Sequence, residues 1–596
     1  MKSIFLLFFT VLVITSSAMA QVVSPQLAGK YAMNAYSQKC QPSGTSSEVA
    51  EQMTLTGKDG RPTCYLFSFD HGGFIILSAD YASTPVIGYH PSNHLDLKGL
   101  PSAFTDFLDH CSRQIDFIRE KGLKADEKIA LSWNRIQTGE KSYGKSNQDL
   151  VEPLLPVKWG QRRPYNMFCP VDPASADSHA VTGCAATAFA QVMSYYNYPE
   201  HGIGSNSYIH PVYGQISANF AEATYKWNLM PDSVPVGQPT VVKEAPALIS
   251  YHVGVAMNMY YGPNGSGVQA DQVLQPMIDH FGYNPSSYYA WRSDYTPDAW
   301  VDLLQEQLDS GYPLVYRGTS TTIGHIFVCD GYQDDEYFHF NWGWFGNANG
   351  YFSINNLNPL AYTFNLNNYC IADFYPSGTY PNYCSSCDTL IESTSLIEDG
   401  SGPIHTYQDN AQCTWLIAPG AKDVVQQIKI HFRNFDTEEA HDYLKIYCGE
   451  PSCTLPAGEY SGQNIPEDIV VMNDSVWISF STDDNGITGK GWEIQYTNYD
   501  YPVFINPPEE PEASGICVYP NPADKLVTIT KTDCTSEINR VQLVNTLGRE
   551  VYPAAKVIRI SNNTWKMDIS DIYEGYYLIR TVFTDGKISL SKLVVQ

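Results

Sequence analysis

Val181-Thr182-Gly183-Cys184-Ala185-Ala186-Thr187-Ala188-Phe189-Ala190-Gln191 reads as the start of a buried helix with a cysteine at its mouth. Ala185, Ala186, Ala188 and Ala190 let neighbours pack closely on every side of it. A helix start offers unpaired backbone N–H groups and the positive end of the macrodipole. Both favour a thiolate over a thiol, and the thiolate is the nucleophile. With a base supplied from elsewhere in the fold, this stretch is the front half of a cysteine-nucleophile site.

A base is present 141 residues further on, where Gly324-His325-Ile326-Phe327-Val328-Cys329-Asp330-Gly331-Tyr332 reads as a strand that opens on a histidine. The next strand is Tyr337-Phe338-His339-Phe340-Asn341-Trp342-Gly343-Trp344, after the turn Gln333-Asp334-Asp335-Glu336. A turn centred between Asp334 and Asp335 sets His325 opposite Trp344, with Trp342 diagonal on the same face. Asn341 then points away unless the register slips by one residue. Upstream, Gln161 in Trp159-Gly160-Gln161-Arg162-Arg163-Pro164-Tyr165-Asn166 is a candidate amide donor to an oxyanion, together with the Cys184 N–H.

At 596 residues the chain needs more than one core. Aromatic residues make up 13% of it, 42 of them tyrosine, which suits strand-rich structure. The formal net charge of -27 argues against a nucleic-acid partner, because no basic patch is there to neutralise phosphates. Residues 1–20 have the layout of a secretory signal: Lys2, an apolar run from Ile4 to Ile14, and Ala18-Met19-Ala20 before Gln21. No other stretch is long and apolar enough for a transmembrane helix. Export permits disulfides. Spacing makes Cys387–Cys413 and Cys448–Cys453 plausible bridges and allows Cys517–Cys534, though connectivity does not follow from spacing. Cys40, Cys64, Cys111 and Cys169 read as small buried hydrophobes or bridges.

Tyr65–Phe69 and Gly73–Ser78 read as strands around the turn Asp70-His71-Gly72, and Phe104–Ile118 has helical apolar spacing. The polar run Gln137–Ser146 reads as an exposed connector open to proteolysis. A further helix is expected near Ala299–Leu308. From Cys384 to Thr497, short alternating segments such as Val424–Phe432, Asp442–Tyr447 and Ser475–Ser481 suggest a β-sandwich. Pro502–Gly515 reads as a stiff acidic linker. The last eighty or so residues are again short strands, with Asn545-Thr546-Leu547-Gly548-Arg549 as a hairpin turn.

Together, Cys184 with its flanks, Gly324-His325, Asn341-Trp342-Gly343-Trp344 and the Gln161 motif resemble the streptopain family of secreted, papain-like cysteine peptidases made as zymogens. The cysteine-to-histidine gap agrees with the roughly 130–150 residues of papain-like enzymes. The resemblance implies Cys184 as nucleophile, His325 as general base and acid, and Gln161 as oxyanion donor. It implies Trp342 in the place where papain-like enzymes usually carry an asparagine, with Trp344 as a wall and Asn341 as the competing candidate. Residues 21–146 look like the family's propeptide, notably in Gly73–Asp80 and Pro85–Tyr89, which implies an intramolecular inhibitor. Residues 384–500 resemble a CUB domain, through Cys387/Cys413, Phe435–Glu438, Asp442–Tyr447 and Phe480–Asp483. That resemblance implies Glu438, Asp442 and Asp483 as candidate ligands of a structural calcium. Residues 515–596 resemble the sorting domain of the type IX secretion system, through Val518–Ala523, Asn545–Arg549 and Glu574–Tyr577. It implies export by that machinery in a diderm bacterium, to the medium or the cell surface, with the domain removed on the way. Sequons such as Asn264-Gly265-Ser266 are then accidental.

The expected fold is therefore multidomain: an α+β papain-like catalytic domain with an α+β propeptide, followed by two all-β sandwich domains, CUB and then Ig-like. The expected boundaries are 1–20 signal peptide, 21–146 propeptide, 147–376 peptidase, 384–500 CUB, 501–514 linker and 515–596 sorting domain. The expected function is endopeptidase action on extended polypeptides, with no cofactor needed for the chemistry. Two alternatives use the same chain: a silent peptidase serving as a CUB-bearing adhesin, and acyl transfer to an amine by the same Cys-His pair. Intact Cys184, His325 and Gln161 argue against the first.

Overall fold

The computed structural model describes residues 22–595, apart from 41–47, 140–149, 320–323, 334–336, 355–367, 379–383, 385–387, 420–426, 450–455, 500–515, 532–536, 546–556, 585–587 and a few isolated positions. The signal segment, the linker and the Asn545–Arg549 turn beyond its first residue thus lie outside the described residues. The chain divides into two compact units, one of residues 1–154, 289–309 and 313–370, the other of 155–288, 310–312 and 371–596.

In the first unit, strands Val49–Thr56, Pro62–Phe69, Phe74–Ser78 and Val86–His90 form an antiparallel meander from the N-terminal region. Strand Val86–His90 then pairs antiparallel with Gly350–Ser353, Gly88 opposite Phe352 and Tyr89 opposite Tyr351. The sheet continues through Tyr337–Asn341, Gly324–Gln333 and Leu314–Thr319. One sheet therefore runs from the N-terminal region into the strands of residues 314–353 without a break. Backbone pairing makes this seam, and at Gly88 it needs a missing side chain: a Cβ there would lie 2.4 Å from the Phe352 ring. Leu66, Phe74, Ile76 and Phe104 share a core with Phe338, Phe340 and Phe352.

Helices Ser102–Lys121 and Glu127–Thr138 flank the meander, the second opened by Asp126 accepting from the Ile129 N–H at 2.8 Å. Both end on glycines in the left-handed region, Gly122 and Gly139. Gln137 and Thr138 therefore close a helix, and the connector begins only at Gly139. The expected helix near Ala299–Leu308 runs over Pro297–Asp309.

In the second unit, helix Cys184–Tyr196 is buried at every residue except Cys184 and Tyr195, and it packs on helix Thr240–Ala256. The small residues behind Cys184 allow that. The first sandwich stacks Asp388–Leu390, Gln412–Ile417, Val476–Ser481, Tyr443–Cys448 and Gly458–Tyr460 against Thr394–Glu398, Gly491–Tyr499, Gln427–Asp436 and Ile469–Val471. Alternate residues of Val476–Ser481 and Tyr443–Cys448 enter its core, as a half-buried strand requires. A second sandwich follows, of four and three strands.

The disulfides are Cys384–Cys413 and Cys448–Cys517. Cys413, Cys448 and Cys517 thus have other partners than spacing suggested; Cys387, Cys453 and Cys534 lie outside the described residues. Cys448–Cys517 joins the first strand of the second sandwich to the first sandwich, where Cys517 enters the core. Cys40, Cys64, Cys111 and Cys169 are free, the last three buried.

The first sandwich is also fastened to residues 155–288 of its unit. Arg433 reaches Asp232 Oδ1 with one guanidinium nitrogen and Glu493 Oε1 with the other, both at 2.8 Å. Asn197 Nδ2 donates to Glu398 Oε1 at 3.1 Å, and Ser395 Oγ to the Asn228 carbonyl at 2.8 Å. This seam is polar. Burial, with Glu493 and Asp399 nearby, raises the Glu398 carboxyl well above its usual range. Burial also raises Glu493 against the pull of Arg433, and raises Asp399.

Candidate active site

Cys184 is the first residue of its helix, half-buried, behind Gly183 at φ 90° and ψ 145°. That φ favours glycine, and a Cβ there would meet Met259 Sδ and Cε at 2.9 Å. Ser266 Oγ donates to the Val181 carbonyl at 2.6 Å and accepts the Gly262 N–H at 3.0 Å, so the serine of the Asn264-Gly265-Ser266 triplet fixes the approach to the helix. The Thr182 N–H donates to the Gln161 carbonyl at 3.1 Å. The segment bearing Gln161 is thereby tied to the one leading into Cys184, two residues short of it. Trp159 is held as well, its N–H donating to Gln191 Oε1 at 3.2 Å and its indole N–H to the Pro231 carbonyl at 2.9 Å.

His325 lies in the other unit, on strand Gly324–Gln333. Its Nε2 is 3.0 Å from the Trp342 carbonyl oxygen. A carbonyl only accepts, so Nε2 carries the proton and Nδ1 carries the lone pair. The imidazole stacks on the Trp344 indole, with ring centroids 4.7 Å apart, and Trp342 lies behind at 6.3 Å. The expected proximity of both tryptophans holds. Trp342, however, orients the histidine through its backbone carbonyl, whereas sequence reasoning looked to side chains. Burial pushes the imidazole down to about 4, against the pull of that carbonyl.

Asn341 pairs with Val328 in the ladder, and its Oδ1 accepts the Gly343 N–H at 3.2 Å. That N–H belongs to the same peptide plane as the Trp342 carbonyl. Asn341 thus fixes the plane that holds His325. The pairing of Val328 with Asn341 is the expected one, but Gln333 faces Tyr337 instead of Glu336. A bulge between Cys329 and Gly331 absorbs the difference. The residue it sets aside, Asp330, is fully buried and 2.6 Å from His339 Nδ1.

Residues of the N-terminal region reach this half of the site. Phe104 and Phe107 pack on the Trp342 indole at centroid distances of 5.8 and 5.7 Å. Asn93 Nδ2 donates to the Gly346 carbonyl at 2.7 Å and to the Asn349 carbonyl at 2.9 Å.

Of the three expected calcium ligands, Glu438 and Asp483 converge with His441, their ligand atoms within 4.8 Å of one another. Asp442 is buried and already engaged: Oδ2 accepts the Tyr407 hydroxyl at 2.5 Å and Oδ1 the Asp483 N–H at 3.0 Å. Asn485 Nδ2 donates to Glu438 and Asp483 at 2.9–3.1 Å. His441 Nδ1 lies 3.0 Å from Asp483 Oδ2, and sequence reasoning did not include it. Two carboxylates and an imidazole, from the 437–442 and 482–490 loops, thus meet here, and Asp442 stands behind them. The Asn485 amide, turned over, would offer an oxygen to the same point.

A helix-mouth cysteine followed by a strand histidine, in this chain order, is the layout of a papain-like cysteine peptidase. Residues 159–352 match the peptidase C10 family, 20–115 the Spi protease inhibitor family, 384–496 the CUB domain and 517–596 the secretion system C-terminal sorting domain. Streptopain of Streptococcus pyogenes is 30% identical over 52% of this chain and 78% of its own length. The thiol protease/hemagglutinin PrtT of Porphyromonas gingivalis is 32% identical over 60% of this chain, which spans 42% of that relative. A solved fragment of prointerpain A from Prevotella intermedia is 30% identical, with 55% of this chain and 99% of the fragment covered and a TM-score of 0.46. The chain belongs to the streptopain family, and is a cysteine peptidase with a CUB domain and a type IX sorting domain. The sorting domain marks a secreted or cell-surface protein of a diderm bacterium. Among the described residues no helix is long and apolar enough to cross a membrane.

Proposed function

We propose that this chain is a secreted endopeptidase made as a zymogen, with Cys184 as nucleophile, His325 as base and residues 21–146 as inhibitor. The observation that carries the base assignment is the bond from Nε2 to the Trp342 carbonyl, which leaves the Nδ1 lone pair to take the thiol proton. The Cys184 thiolate then attacks the scissile carbonyl of an extended peptide. The Cys184 N–H and the Gln161 amide take the oxyanion. His325 Nδ1 returns its proton to the leaving amine, and water drawn onto the same nitrogen hydrolyses the thioester. The inhibitor reading is supported by the continuous sheet and by Phe104, Phe107 and Asn93 packing beside Trp342. Replacing Cys184 with alanine is expected to abolish peptide hydrolysis by the processed chain, and retained hydrolysis would sink the assignment. Profiling cleavage of a peptide library by the same pair of proteins defines the substrate class.

For the CUB domain we infer a structural calcium held by Glu438 and Asp483, with Asp442 behind them accepting the Asp483 N–H. Calcium would join the two loops by charge where, among the described residues, no lysine or arginine pairs with Glu438 or Asp483. Its addition is expected to raise the melting temperature of the full chain, and Glu438→Gln to remove that rise.

A further inference from the structure

The carbonyl that orients His325 stands at the start of a tight loop, Trp342 to Asn349. Gly343, Phe345, Gly346 and Ala348 all have positive φ, at 73°, 57°, 79° and 62°. Phe345 and Ala348 carry side chains, so two of these turns are adopted against steric resistance. The loop's Asn347 N–H donates to the Trp344 carbonyl at 2.9 Å and its Asn349 N–H to Gly346 at 3.2 Å. This winding returns Asn349 to the start of the loop. There its Oδ1 accepts the Trp342 N–H at 3.1 Å, with the side chain buried.

Two peptide planes meet at the Trp342 Cα. Asn341 holds the following one through the Gly343 N–H. Asn349 holds the preceding one through the Trp342 N–H. With both planes fixed, the φ and ψ of Trp342 are fixed, and so is the direction of the carbonyl that His325 uses. We propose that Asn349 is a positioning residue for His325, acting through the Trp342 backbone. The inference rests on the reading of His325 as the base. It also gives the propeptide contact a meaning. Asn93 binds the carbonyls of Gly346 and Asn349, on the same loop. In the zymogen the loop has two holders. Once the propeptide leaves, the Asn349 side chain remains.

The test uses the full chain, processed in trans by tagged parent peptidase that is then removed. Asn349→Ala is expected to lower kcat by about 10²-fold with KM little changed, as misplacement of a catalytic group does. Asn349→Asp keeps an acceptor oxygen and is expected to recover most of kcat. Its added negative charge favours the imidazolium, so the alkaline limb of kcat/KM against pH moves upward. Parental kcat in Asn349→Ala overturns the proposal. So does an Asp variant no better than Ala with an unmoved pH profile, which is what a packing role alone gives. Should the Ala variant fail to fold, as read by its melting curve, the Asp variant decides by its kcat and pH profile. His325→Ala separates the two levels: if it retains hydrolysis, the base assignment itself has failed.

Discussion

The propeptide and the CUB domain are both joined to peptidase sequence, and they use opposite physics. The propeptide seam is a strand pairing, Val86–His90 on Gly350–Ser353, backed by a shared aromatic core and closed on the neutral side chain of Asn93. The CUB seam is built from buried charge: Arg433 between Asp232 and Glu493, with Glu398 and Asp399 nearby. A backbone pairing with an apolar core can be undone by removing one segment without leaving an unpaired charge behind. A buried arginine shared by two carboxylates cannot, because either side left alone has lost its partner. The difference suits the proposed roles, a segment removed on activation and a domain that stays.

Arg433→Ala is the largest expected break. It strands Asp232 and Glu493, at a cost of about 3–5 kcal/mol. A lower melting temperature and rapid proteolysis between residues 376 and 384 would report it; unchanged proteolysis would mean that the charged seam does not hold the domain. Gly88→Val attacks the other seam by overpacking Phe352, at about 1–3 kcal/mol. Faster spontaneous activation of the unprocessed chain, with the mature peptidase unaffected, is the expected result.

The smallest contrast is in pH, and the first unit should respond with opposite sign to the charged seam. His325 and His110 are held neutral by burial, both pushed down to about 4 from 6.5. The stability they contribute is present above pH 6.5 and is lost as pH falls toward 4. Glu398, Glu493 and Asp399 have raised carboxyls. Their contribution is present below the ordinary carboxylate range and is lost as pH rises through the raised values. Hydrogen exchange at two pH values should show the strands around His325 loosening in acid and strand Thr394–Glu398 loosening in base.

Much of this was legible in the chain because local patterns carried it. The alanines behind Cys184 announced a helix buried on all sides, and alternation announced the sandwich strands. The hairpin register was legible near His325 only because two one-residue errors cancel: the turn is offset, and the bulge at Asp330 restores the pairing of Val328 with Asn341. A bulge that sets a buried aspartate beside a histidine of the next strand leaves no local sequence pattern. The carbonyl role of Trp342 was hidden because sequence displays side chains, and a backbone acceptor looks the same at every residue. Asn349 returns through four left-handed residues, two of them not glycine, so no spacing rule pointed to it. The disulfides escaped for the reason spacing always fails: contact between Cys448 and Cys517 is set by how two sandwiches pack.

The central claim is that Cys184 and His325 act as a pair, and the rate of Cys184 alkylation against pH tests it most directly. In the processed chain the account predicts rapid labelling that persists well below the free-thiol pKa of about 8.5, and a profile that moves up to that value in His325→Ala. Labelling of the processed parent chain that rises only near pH 8.5, and is the same with or without His325, would contradict it.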